Sequence, residues 1–181
     1  IIISATLTKA PFMLYMGQEF GELGMDMEGF SGVDGKTTIF DYWGINSLQA
    51  WANNGNFDGK DLSDEQCSLQ NFYRQLLRTS LREKAITEGK MYDLMFANYG
   101  NPSFNSHEQF AYFRMYKNEL LLCVVNFHDK AIDTHINIPA EAFQYLGIDE
   151  NEIYSASNLL NESEEYPEQT LSSDSPYRVL V

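Results

Sequence analysis

Basic residues are scarce: lysine and arginine number 12 against 26 aspartates and glutamates, for a formal charge of −14. Binding to nucleic-acid phosphates or anionic membranes needs clustered Lys and Arg, so composition argues against both partners and favours a neutral or cationic ligand. Cysteine is equally rare. Cys67 in a helical pattern and Cys123 in an apolar strand run cannot make a disulfide scaffold, and both read as small buried hydrophobes. No window approaches the roughly 20 apolar residues of a membrane span. His107, His128 and His135 lie in unrelated segments without ligand spacing, so zinc is not indicated. The opening Ile1-Ile2-Ile3 carries no initiator methionine and no basic leader, and its apolar stretch breaks at Ser4, as expected of a chain cut from something longer. The sequon Asn161-Glu162-Ser163 reads as a chance match.

What remains is apolar and aromatic. With 181 residues and 44% hydrophobic content, the chain has material for one good core or two small ones, hence one or two domains. Twelve Phe, 11 Tyr and 2 Trp would suit sugar-stacking faces, but they suit a packed core equally well, which is the default.

The period changes along the chain. Ile1 to Lys9 reads as the end of a helix feeding Pro11, after which Phe12 to Met16 are apolar on both faces, as in a buried parallel strand. Gly17 turns the backbone where Gln18 and Glu19 emerge. Phe20 to Gly59 is rich in glycine, Asn pairs and aromatics without sustained periodicity, the pattern of a long functional loop. Ser63 and Gln66 then form a capping box, and Leu69, Phe72, Tyr73, Leu76, Leu77 and Leu81 recur at helical spacing, with Gly89 as the stop. Beyond it the period is two. Phe110 to Lys117 and Leu120 to Phe127 flank an Asn118-Glu119 turn, Ile132 to Ile138 alternates with one wet face, and Ile153 to Leu160 and Tyr177 to Val181 are further strands around an acidic, serine-rich stretch from Glu162 to Ser175.

Taken in order, these landmarks carry a resemblance. Pro11-Phe12-Met13-Leu14-Tyr15-Met16-Gly17-Gln18-Glu19, then Thr37-Thr38-Ile39-Phe40-Asp41-Tyr42-Trp43, the helix with Phe72-Tyr73-Arg74-Gln75-Leu76-Leu77, Gly89 before Tyr92-Asp93-Leu94, and Val125-Asn126-Phe127 resemble the C-terminal part of the α-amylase family of glycoside hydrolases. The resemblance implies an α+β fragment: residues 1–88 as the last strand, loop and helix of a (β/α)8 barrel, and residues 89–181 as an antiparallel β-sandwich domain. It further implies a retaining enzyme acting on α-glucans or maltooligosaccharides, whose carboxylates follow earlier barrel strands and find no matching motif here. The fragment alone is then catalytically incomplete, with no catalytic residue of its own.

Position within such a barrel singles out substrate-binding candidates, because the C-terminal ends of barrel strands carry the site. Gln18 and Glu19 would lie at the floor or rim of the cleft, against the alternative that they bond backbone groups of the turn. Glu22 pairs with Glu19 at i and i+3 but reads as a site-edge residue rather than half of a catalytic pair. Tyr42 and Trp43, and after them Trp51, would stack on glucose rings or pack on the barrel. No cofactor is expected. A weak calcium candidate is Asn54-x-Asn56-x-Asp58-Gly59 with Glu65, in which Asn54 stands where a carboxylate belongs, and the turn reading is preferred. The alternative function is a glucan-binding β module without enzymatic role, which would need exposed aromatics such as Phe110, Tyr112 and Tyr116. A bracing domain is preferred for the region after Gly89. Deprived of barrel neighbours, the strand from Pro11 is expected to drive self-association of the fragment.

Overall fold

In the computed structural model, which describes residues 1–22, 45–161 and 165–181, the capping box closes in both directions. Ser63 N donates to Gln66 Oε1 at 3.0 Å and Gln66 N to Ser63 Oγ at 3.2 Å. Helix α3, Asp64–Arg82, follows, with Asp64 and Glu65 in its first turn and Arg82 in its last, each on the favourable end of the helix dipole. Tyr73, Leu76 and Thr79 are buried along it, whereas Leu81, assigned to the apolar stripe, is 79% exposed. The helix stops short of Gly89 because Glu83 takes an extended backbone, and a separate turn of helix, α4 (Lys84–Thr87), intervenes. Gly89 is needed for another reason: a Cβ there would lie 2.2 Å from the Ala85 carbonyl oxygen and 2.5 Å from that of Met115.

The described residues form two units, Pro11–Gln75 and another assembled from Ile1–Ala10 with Leu76–Val181. These units divide within α3 rather than at Gly89, and buried polar bonds explain why. In the larger unit, α1 (Ile2–Thr6) places the Thr6 hydroxyl 2.5 Å from the Tyr112 phenol. Arg114, 2% exposed, donates through Nε to Ala85 O at 2.9 Å, through Nη1 to Leu7 O at 3.0 Å, and through Nη2 to Ile86 O and, at 3.4 Å, to Gly89 O. Residues on both sides of Gly89 therefore share one core.

That core is built on antiparallel pairs. Strands β1 (Lys90–Asp93), β2 (Gln109–Tyr116) and β3 (Glu119–Asn126) form one sheet in the order β1-β2-β3. Tyr116 pairs with Glu119, so the turn is Lys117-Asn118, one residue earlier than the sequence suggests, with Lys117 at φ 55°. Strand β4 (Asp133–Ile136) pairs with β7 (Tyr177–Leu180). The alternation from Ile132 to Ile138 holds: Thr134, Ile136 and Ile138 are buried while Asp133 and Asn137 are exposed. Strand β5 (Ile153–Ser157) pairs with β6 (Glu165–Thr170), a strand within the stretch that reads as an acidic connector. Two short helices unseen in the sequence, α5 (Met95–Asn98) and α6 (Ala140–Leu146), bring Met95, Ala142, Phe143 and Leu146 into the core with Phe113 and Ile136.

In the smaller unit, Phe12 to Met16 is not a strand. A strand needs a ladder, and among the described residues this segment forms none; Met13 stands 82% exposed instead of buried. Helix α2 (Asn46–Ala52) lies between this segment and α3 in the chain. Among the described residues no helix is long and apolar enough to cross a membrane.

Candidate functional site

The turn after Met16 is built as the sequence suggests. Gly17 sits at φ 85°, and a Cβ there would come within 2.9 Å of the Glu22 Cβ and 3.3 Å of the Ile45 Cγ2, so both backbone conformation and space require glycine. A 3-10 turn over Gln18–Phe20 follows, closed by Gln18 N to Tyr15 O at 3.1 Å and by Phe20 N and Glu22 N, each 3.0 Å from Gly17 O.

Each acidic or amide side chain here has a different environment. Gln18 is exposed, and its Oε1 accepts from Tyr15 N at 3.4 Å, the local backbone bond that the turn reading anticipates. Glu22 Oε2 accepts from Ser47 N at 3.1 Å, which puts a carboxylate on the open N–H groups at the start of α2. Ile45, the residue before that helix, makes no side-chain cap bond, so Glu22 does the capping from outside the helix. Glu19 Oε2 and Ser47 Oγ are both buried and find no hydrogen-bond partner among the described residues. A carboxylate oxygen in that condition is costly.

Trp51 is part of an aromatic packing group, 6.1 Å from Phe20 and 5.3 Å from Phe57 between ring centroids. Tyr42 and Trp43, with the Thr37 to Trp43 motif, lie outside the described residues. In the calcium candidate, Asp58 Oδ1 accepts from Asn53 Nδ2 at 2.8 Å and from Lys60 N at 3.1 Å, and these bonds lower its pKa from the ordinary value. Asn56 Nδ2 donates to Asn53 O at 3.0 Å. Glu65 sits on the first turn of α3. Among the described residues no group of three or more His, Cys, Asp or Glu is placed to hold a metal ion.

The larger unit has a hollow of about 370 Å³ against β3 and β5, with Leu120, Leu122, Tyr154, Tyr177 and Val179 among its walls. Among the described residues no charged side chain lines it. Cys123 borders it, and burial, the largest influence, pushes its thiol up to about 11, so the thiolate is rare at neutral pH.

Of the aromatics proposed for an exposed sheet face, Tyr112 is fully buried and Phe110 packs against the core. The exposed rings come from elsewhere. Tyr92 on β1 lies 6.1 Å from Phe96 on α5 and 5.7 Å from Tyr145 on α6, with Phe96 56% and Tyr145 51% exposed. No period-two or helical pattern links three residues from three elements, which is why the sequence did not reveal the group.

The class these features define is an α+β chain of small antiparallel sheets with helices. No family model and no curated protein matches it. Among solved structures the chain is similar to a noncanonic maltogenic α-amylase, AmyB, from Thermotoga neapolitana, with a TM-score of 0.59 at 14% identity over 99% of this chain. It spans 32% of that protein's chain. At such identity what the two share is a fold.

Proposed function

We propose that the chain is the C-terminal part of an α-amylase-like retaining glycoside hydrolase acting on α-glucans, and that it is catalytically incomplete alone. The observation that supports this most is the likeness of nearly the whole chain to about a third of a maltogenic α-amylase, together with the order of motifs from Pro11 to Phe127. In this reading the segment from Pro11 through α3 belongs to the last β/α unit of a barrel, and the sheets after Gly89 to a β domain that braces it and shares its core with Ile1–Ala10 and α4. Retaining chemistry needs two carboxyls about 5 Å apart across the anomeric carbon. Glu22 is committed to the start of α2, so it does not serve as one of them. Gln18, Glu19, Tyr42 and Trp43 are assigned to substrate binding, with Glu19 as a positioning residue whose buried oxygen meets a donor from the rest of the barrel. No metal is assigned.

The test is activity of the longer protein that carries this sequence. It should release maltooligosaccharides from starch with retention of anomeric configuration, seen by proton NMR, and Glu19→Gln should lower kcat/KM at least tenfold. The 181-residue chain should release none. Turnover by the chain alone that vanishes in Glu19→Gln or Glu22→Gln would sink the proposal and make this chain an enzyme in its own right.

A further inference from the structure

The connection from α2 to α3 carries the one Asn-Gly pair of the sequence, Asn54-Gly55. Asn54 takes a left-handed backbone, φ 55° and ψ 30°, that breaks the helical run, and both residues are exposed. Asparagine enters this region more readily than most side chains do, but the conformation is uncommon outside glycine. Gly55 sits at φ 92° in open space, where an added Cβ would meet nothing within 4 Å. The Asn54 amide is also untethered. Elsewhere Asn98 Nδ2 donates to Leu94 O at 2.8 Å and Asn137 O at 3.0 Å, and Asn126 Nδ2 to Lys130 O at 2.8 Å. Asn105 is held at both ends, Nδ2 donating to Glu108 Oε2 at 2.7 Å and Oδ1 accepting from His107 N at 3.1 Å. Even the neighbours Asn53 and Asn56 donate, to Asp58 Oδ1 and Asn53 O. The side chain of Asn54 makes no such bond among the described residues.

We propose that Asn54 is a self-modification site, at which the folded chain deamidates through a cyclic imide formed with Gly55. The Gly55 amide nitrogen, giving up its proton to solvent, bonds to Asn54 Cγ, and the former Nδ2 leaves as ammonia. One water then opens the five-membered ring at either carbonyl, giving aspartate or isoaspartate. Water is the only co-reactant. Three features of the site favour the step. Glycine leaves the attacking nitrogen unscreened by a side chain, the amide is free to rotate, and the open space around Gly55 lets the backbone turn as ring closure requires. The product changes the loop in two ways. A new carboxylate stands near Asp58, and the isoaspartyl form inserts a carbon into the backbone between the bonds that close the turn, Asn56 N to Asn53 O at 3.2 Å and Phe57 N to Ala52 O at 3.0 Å. The turn that brings Phe57 to 5.3 Å from Trp51 is thereby broken.

The experiment is peptide mapping by mass spectrometry of the 181-residue chain after prolonged incubation at pH 6 and pH 8, folded and in urea, beside Asn54→Gln. In the folded chain the peptide holding Asn54 should gain about one dalton at least tenfold faster than the peptide holding Asn105. The gain should contain isoaspartate as well as aspartate, and it should be faster at pH 8, because the attacking nitrogen must lose its proton. The margin over Asn105 should narrow in urea, where the Asn105 bonds are released and only the following residue discriminates. Asn54→Gln should leave the peptide unchanged, since ring closure would then need a six-membered imide. An intact Asn54, or one no faster than Asn105 in the folded chain, would overturn the site. Aspartate without isoaspartate would mean direct hydrolysis and overturn the imide route. A margin that fails to narrow in urea would show that the fold adds nothing, and a mass gain that survives in Asn54→Gln would give the signal to Asn53 or Asn56; either result also counts against the proposal.

Discussion

The Thr6 hydroxyl and the Tyr112 phenol, 106 residues apart in the chain, lie 2.5 Å from each other in the interior of the larger unit. Two residues further along β2, Arg114 gathers carbonyl oxygens from Leu7, Ala85, Ile86 and Gly89. Together they attach the first residues of the chain and the segment around α4 to the β-sheet.

Arg114→Met should therefore destabilise the larger unit by about 2–4 kcal/mol in urea unfolding, because it strands several buried carbonyls. Arg114→Lys should recover little, since one ammonium cannot span the positions a guanidinium reaches. A loss under 1 kcal/mol for the methionine variant would show that water replaces the guanidinium.

Gly89→Ala should cost about 3 kcal/mol or more, as the new Cβ meets two backbone carbonyl oxygens that have little freedom to move. Circular dichroism melts of this variant beside Gly100→Ala test the assignment. Gly100 has open space around it but a φ of 79°, so its substitution reports backbone strain without the clash and should cost less.

Ser63→Ala should lower stability by about 1 kcal/mol through loss of one arm of the capping box. Gln66→Ala should cost less, and the two changes together less than their sum, since each bond helps hold the other's geometry.

Asp133 and Arg178 give a pH signature. The Arg178 guanidinium, bonded to both carboxylate oxygens, lowers the Asp133 pKa below its ordinary 3.8. A depressed carboxylate pKa adds stability above the unfolded value and loses it as pH falls through the folded one. The melting-temperature gap between parent and Arg178→Ala should thus be present at pH 6, small because the pair is exposed, and should shrink as the pH falls below 3.8 through the lowered pKa. A gap that persists at pH 2 would mean that Arg178 acts through packing.

Calcium should leave the melting temperature unchanged, because Asp58 already accepts from Asn53 and Lys60, and only a ligand that favours the folded state raises stability. A calcium-dependent rise lost in Asp58→Ala would establish a site in the Asn54 to Glu65 loop.

Elements with strong local signals were legible. Ser63 and Gln66 announce the start of α3, and Thr134, Ile136 and Ile138 announce the buried face of β4. The segment Phe12 to Met16 shows the limit: its apolar run describes a strand only if neighbours supply a ladder, and sequence does not say whether they are present. Helix α6 was hidden because Ala140–Leu146 is short and its start, after Pro139, lacks a polar cap. The candidate site was legible at its turn, since Gly17 ends the apolar run from Phe12 to Met16. The roles of Glu22 and Trp51 were not, because each depends on a partner, Ser47 or Phe57, that only the fold brings near.

The bond between Thr6 and Tyr112 also sets a timetable. At elongation rates of about 5–20 residues per second, Thr6 is made on the order of 5–20 s before its partner exists. Until β2 has left the ribosome, neither the Thr6–Tyr112 bond nor the bond from Arg114 to Leu7 O can form. The start of this chain therefore stays without these two partners for that interval, and the strand pairs β4–β7 and β5–β6 become possible later still.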